Sequence, residues 1–122
     1  MLSPVLEFVG DADKSRLEPR RVAELLGLPL EAVAVLARTH RNTLSRTPAS
    51  PQVQAGLSEI VKILVNASRL MDGDSATGRA VLWFKSQPLS GFGGKTAMDL
   101  VREGKSDAVL EHLEMLADGV YA

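Results

Sequence analysis

The segment Gly91-Phe92-Gly93-Gly94-Lys95-Thr96 carries the residue types that cradle phosphate in nucleotide-binding loops, a glycine-rich run ending in lysine and threonine. That chemistry needs a further glycine five residues before Gly94, and Leu89 stands there. No strand pattern leads into the run either, so nucleotide binding is not expected. His40 and His112 are the chain's two histidines, and neither has a serine or cysteine nucleophile arranged beside it for acid-base or covalent catalysis. Glu111, His112 and Glu114 have the composition of a metal cluster. Adjacent helix positions diverge by about 100°, however, so these side chains do not share a face, and His112 is expected on a solvent-facing helix. Asp72-Gly73-Asp74 reads as a turn, since a calcium loop needs more carboxylates at alternating positions. No catalytic residue, cofactor or metal site is expected, and the chain reads as a non-enzyme.

A second chemistry-bearing run is Arg38-Thr39-His40-Arg41-Asn42-Thr43, with Arg46 beyond. Arg38, Arg41 and Arg46 have the charge to neutralise backbone phosphates of a nucleic acid, and His40 or Asn42 would reach a base if the helix before them runs on past Thr39. A solvated charged face is the competing reading. Upstream, Val22, Ala23, Leu25 and Leu26 make the apolar side of a helix stopped at Gly27, and Leu28-Pro29 opens another containing Val33, Leu36 and Ala37. Measured from Ala23, the glycine lies four residues on and the apolar Val33 and Leu36 ten and thirteen on, the spacing of a helix-turn-helix. A plain helical hairpin is the alternative. The face that would meet base edges, Pro29, Leu30, Glu31, Ala34 and Val35, holds no Arg, Lys, Asn or Gln, so base-specific contacts stay unassigned.

The elements that must position these runs are helices. Leu, Val and Ala recur at three- and four-residue intervals and no period-two strand appears, which predicts an all-α fold. Ser3 and Pro4 open a short helix ended by Gly10, and Ser50-Pro51 opens the longest helix, running to about Met71. Val53, Leu57, Ile60, Val61, Leu64, Ala67, Ser68 and Met71 fall on one side of it, with Ile63, Val65 and Leu70 widening the apolar surface. Such girth predicts burial on more than one side, either as a core helix or with a surplus face for self-association. Asp74 or Ser75 caps a helix leading to Trp83, which is expected in the core. The organisation expected is therefore a helix-turn-helix-like region over 1–48, a central helix over 49–72 and a small helical module over 73–122.

With 45% hydrophobic and 24% charged residues, the chain reads as an ordinary globular protein. No transmembrane run and no cysteine appear, the first residues lack the basic flank and small-residue site of a signal peptide, and a cytoplasmic protein is expected. The net charge of -1 is unevenly spread: residues 14–46 sum to +4, and residues 96–122 to -4. A basic front and an acidic back suit a protein that meets nucleic acid with one end and a protein with the other.

In the last third, Trp83 and Phe84 close a helical pattern, and Pro88, Gly91, Gly93 and Gly94 break it. Thr96 caps a new helix, with Asp99 at the capping-box position. Gly104 stops that helix, Ser106 caps a further one over Asp107 to Asp118, and Gly119 closes it. Trp83, Pro88-Leu89, Gly94-Lys95-Thr96-Ala97-Met98-Asp99-Leu100-Val101, Gly104 and the final helix before Gly119-Val120-Tyr121 together resemble the C-terminal toxin-binding domain of the ParS/Xre/MbcA antitoxins. Ala97 stands where that family commonly has a proline. The resemblance implies an antitoxin of a type II toxin-antitoxin pair, with a RES-domain, NAD-consuming toxin as partner. It implies toxin contact by Ser90, Gly91, Phe92, Lys95 and Thr96 and by the tail Gly119, Val120, Tyr121 and Ala122, blocking the toxin's active site. It further implies operator binding by the front half, a homodimer, and a hetero-oligomer with toxin; the DNA-binding candidates there remain Arg38, His40, Arg41, Asn42 and Arg46, read from their own chemistry. A stand-alone helix-turn-helix regulator without a toxin partner is the alternative.

Overall fold

Helix starts and stops are set by a few residues with distinct backbone or side-chain chemistry, and the computed structural model, which describes residues 3–11, 13 and 15–119, places them in an all-α fold. Its eight helices are α1 (Pro4–Val9), α2 (Pro19–Leu26), α3 (Leu30–Leu36), α4 (Arg41–Arg46), α5 (Pro51–Arg69), α6 (Ala76–Ser86), α7 (Ala97–Arg102) and α8 (Ser106–Ala117). Among the described residues β-pairing is limited to two isolated bridges, Gly10 with Leu17 and Pro88 with Thr96. No helix among them is long and apolar enough to cross a membrane. The chain divides into compact units at residues 1–61 and 62–122, so the boundary falls inside α5.

In the first unit, Ser3 accepts the Val5 N–H at 3.2 Å and Pro4 occupies the first turn of α1, where no intrahelical donor is needed. α2 ends on Gly27 at φ +66. The Gly27 N–H reaches the Glu24 carbonyl at 3.2 Å and Leu28 N–H the Ala23 carbonyl at 3.0 Å, a Schellman ending. α1 packs on α2, α2 on α3 and α3 on α4. Their apolar sides bury Val5, Val9, Val22, Leu26, Val33, Leu36 and Leu44. α5 opens with Ser50 accepting the Val53 N–H at 3.2 Å. Further along, Gln54 ties down two connectors: its carboxamide donates to the Leu17 and Pro48 carbonyls and accepts the Leu17 N–H, each at 2.8 Å.

One approach in this unit is unusually close. A Cβ built on Gly56 would lie 2.7 Å from the Ala37 carbonyl oxygen and 2.8 Å from the Ala37 Cβ, so only glycine lets α5 approach the end of α3 this nearly.

In the second unit, α6 packs on α7 and α7 on α8, burying Ala80, Phe84, Ala97, Leu100, Val101, Val109 and Leu113. Most of the broad apolar girth of α5 is buried, Ile63, Leu64, Val65 and Ala67 among it, which favours the core-helix reading, while Leu70, just past the end of α5, is exposed. Two expectations are corrected here. Trp83 is only half-buried, and its neighbour Phe84 is the fully buried aromatic of α6. Ser106 does not cap α8 from outside but is its first residue and is itself buried, with Lys105 at the cap position.

Candidate functional site

Residues 88–96 form a loop closed at its neck. Leu89 N–H donates to the Lys95 carbonyl at 2.9 Å beside the Pro88–Thr96 bridge, and tighter turns join Phe92 N–H to Leu89 (3.3 Å) and Lys95 N–H to Phe92 (3.2 Å). Gly91, Gly93 and Gly94 have φ of +87, +63 and +86. A Cβ on any of them would meet nothing within 4 Å, so backbone shape and not crowding requires glycine there. Thr96 and Asp99 complete a reciprocal capping box: Thr96 Oγ1 accepts the Asp99 N–H at 3.1 Å, and the Asp99 carboxylate accepts the Thr96 N–H at 3.0 Å. That backbone donor holds the Asp99 carboxyl below its ordinary pKa, with help from the Thr96 hydroxyl and Arg102. Lys95 pairs with Glu103 at 2.8 Å, and this hydrogen bond likewise lowers the Glu103 pKa.

Ser90 and Gly91 stand exposed, Phe92 is half-buried, and its ring meets that of His112 edge-on at 6.2 Å and 83°. His112 is buried on α8, contrary to the expectation of a solvent-facing position. The alternation of acidic residues around it, Glu111 and Glu114, describes the other side of that helix, and both are exposed. Five of the loop residues singled out in the sequence are thus brought into one surface feature. Gly119 is exposed at φ +77 at the end of α8, while Val120, Tyr121 and Ala122 lie outside the described residues.

The basic run is arranged differently from the expectation. α3 does not run past Thr39; it stops at Leu36, so the condition under which His40 or Asn42 would reach a base along that helix is not met. The stop is another Schellman ending, with Arg38 N–H on the Val35 carbonyl at 3.1 Å and Thr39 N–H on Ala34 at 2.9 Å. Here the left-handed position is filled not by glycine but by Arg38, at φ +56. A left-handed backbone costs an L-residue about 1–2 kcal/mol. Arg38 forks onto Glu59, with Nη2–Oε2 2.8 Å and Nη1–Oε1 3.3 Å, which raises the guanidinium pKa above its ordinary value.

Arg38, Thr39, His40 and Thr43, with Gln52 from the first turn of α5, line an open cleft of about 380 Å³. Arg41 pairs loosely with Glu31 at 3.7 Å, and Asn42 and Arg46 stand exposed on α4 without lining the cleft. Of the expected base-facing residues of α3, Ala34 is buried in the core and Val35 is exposed. Gln52 and Glu59 escaped sequence reasoning. Glu59 lies 21 residues from Arg38, and no local pattern links them. Among the described residues no group of three or more His, Asp or Glu side chains is placed to hold a metal ion.

No protein-family model, curated protein or solved structure matches this chain.

Proposed function

We propose that this chain is the antitoxin half of a type II toxin-antitoxin pair, binding a RES-domain, NAD-degrading toxin in the cytoplasm and blocking its active site. The observation that carries the reading is the 88–96 loop. It has no packing partner for its three left-handed glycines, yet its neck, its cap and Phe92 fix its shape. A loop ordered before contact loses little entropy on binding, which suits insertion into a protein cleft. The acidic helix α8 beside it complements a cleft that is basic enough to bind the phosphates of a dinucleotide. The resemblance of Gly94 to Val101 and of the following capped helix to the ParS/Xre/MbcA antitoxins points the same way. On this reading the chain is not an enzyme and uses no cofactor.

The front half, with Gly27 turning α2 into α3 and a basic cleft after α3, supports operator binding as homodimer or toxin complex, and hence autoregulation. It also leaves room for a stand-alone regulator without a toxin. Co-expression with the product of the neighbouring reading frame separates the two. A stoichiometric complex with a RES-domain protein whose NAD consumption stops on binding is expected. If no partner co-purifies and the chain alone shifts DNA, the stand-alone regulator is correct. Deleting Val120 to Ala122 is expected to relieve inhibition while leaving the melting temperature near that of the full chain. Full inhibition by the folded truncation would remove the tail from the mechanism.

A further inference from the structure

We infer that the cleft between the end of α3 and the start of α5 is a seat for one backbone phosphate of duplex DNA, and that Glu59 holds the Arg38 fork until that phosphate displaces it. The inference rests on the DNA-binding part of the reading above and names the site and its gate.

The cleft is lined by Arg38, Thr39, His40, Thr43 and Gln52, and each of these side chains carries a hydrogen-bond donor. No carboxylate is among them. One guanidinium and four neutral side chains able to donate match a tetrahedral oxyanion with several acceptors. Arg38 supplies the second, independent observation. At the Schellman endings of α2 and α7 the left-handed residue is Gly27 or Gly104, and at the end of α3 it is an arginine. Backbone fit alone would put glycine there, so the side chain is what the position is for. Its fork is held by a carboxylate, a planar anion with oxygen spacing close to that of two phosphate oxygens, at 2.8 and 3.3 Å. A phosphodiester entering the cleft would thus compete with Glu59 for the Arg38 guanidinium. Arg46, exposed on α4, and Arg41, held only loosely by Glu31 at 3.7 Å, add positive charge beyond the cleft, which favours a polymer of phosphates over a single free ion.

The test is titration of the full chain into a labelled duplex of arbitrary sequence over a series of salt concentrations, with each variant's helical content and melting checked. Arg38→Gly relieves the backbone while removing the charge. It should lower affinity about eightfold at 0.1 M salt, and reduce the slope of log K against log salt by about 0.9, the contribution of one phosphate contact. Gln52→Ala and Thr43→Ala should weaken binding several-fold without changing that slope. Glu59→Gln should bind several-fold tighter. If duplex binds but the Arg38, Thr43 and Gln52 variants bind like the wild type, the seat is overturned and DNA binding lies elsewhere. If Glu59→Gln binds no tighter although folded, the gate is overturned. If neither wild type nor Glu59→Gln binds duplex, the DNA reading falls with the site. If no duplex binds, and inorganic phosphate raises the melting temperature of the wild type but not that of Arg38→Gly, the cleft belongs to the free ion and the proposal is overturned too.

Discussion

Gly56→Ala is a substitution that helix propensity and packing judge with opposite signs. Alanine is favoured over glycine in a helix interior by about 1 kcal/mol, because glycine loses more backbone freedom on folding. At Gly56 the added methyl would lie 2.7 Å from the Ala37 carbonyl oxygen, 2.8 Å from its Cβ and 3.0 Å from its Cα. Two of those atoms are backbone, so relief requires α5 and the end of α3 to separate, and overpacking of that kind costs about 1–3 kcal/mol or more. Because the clash is with backbone, the cost falls at the upper end of that range, and after the alanine gain we expect a net loss of about 1–2 kcal/mol, or roughly 4–8 °C in melting temperature. Gly78 provides the control: it lies inside α6, with nothing within 4 Å of its ideal Cβ and no left-handed φ, so Gly78→Ala should stabilise by a few tenths to about 1 kcal/mol. Chemical denaturation followed by circular dichroism reads both. Adding Ala37→Gly to Gly56→Ala should recover only part of the loss, since the carbonyl oxygen remains. Ala37 also precedes Arg38, so the shift should loosen the pair with Glu59. If Gly56→Ala is as stable as the wild type, or moves in the same direction as Gly78→Ala, the close-approach argument is wrong.

Gln54→Glu should destabilise by about 1–3 kcal/mol in urea denaturation at neutral pH, because a carboxylate cannot donate to the Leu17 and Pro48 carbonyls that the carboxamide now satisfies. For Asp99 the folded pKa is depressed, so its contribution is complete above the unfolded value of about 3.9 and is lost as pH falls through the folded value. The stability difference between wild type and Asp99→Asn should therefore shrink as pH is taken from 6 down past about 4, and a difference that stays constant would refute the assignment. Gly91→Val should weaken the partner complex more than Gly91→Asn in a pull-down or titration, since φ +87 is strained for any side chain and worst for a β-branched one.

What was legible in the sequence was local. Ser3-Pro4, Ser50-Pro51, Gly27, Gly104 and the Thr96–Asp99 box each decide a helix end within four residues, and each stands where the residue types put it. The end of α3 was not legible, because Ala37-Arg38-Thr39 contains neither glycine nor proline, and a run of arginines gives no sign that one has turned left-handed. Trp83 and Phe84 are adjacent on α6, so a modest error in the buried direction exchanges them. The sequence misleads at His112 for a related reason, since its acidic neighbours mark a wet helix whose other side carries the Phe92 contact. Pairs such as Arg38 with Glu59 and Gln54 with Leu17 depend on how helices are brought together, which single-chain periodicity does not encode.

The placement of the left-handed residues ties these levels together. Gly27 and Gly104 close helices, where glycine satisfies the last carbonyls with the least strain. Gly91, Gly93 and Gly94 close none, and they sit where a longer side chain would have room but not the right backbone. Glycine in solvent adds freedom to the unfolded loop, which makes ordering it costlier. That cost is offset at four points: the Leu89–Lys95 hydrogen bond, the Lys95–Glu103 pair, the capping box and the edge-on Phe92–His112 contact. None of these is strong alone, an exposed ion pair contributing about 0.2–1 kcal/mol and a cap about 1 kcal/mol. Together they define one loop shape before any partner arrives. Arg38 is the converse case, a side chain kept at a left-handed position despite the backbone strain. The loop glycines take their positive φ without strain and only Arg38 carries it, but an ordered surface loop and a retained surface charge are both where partner contact is best sought.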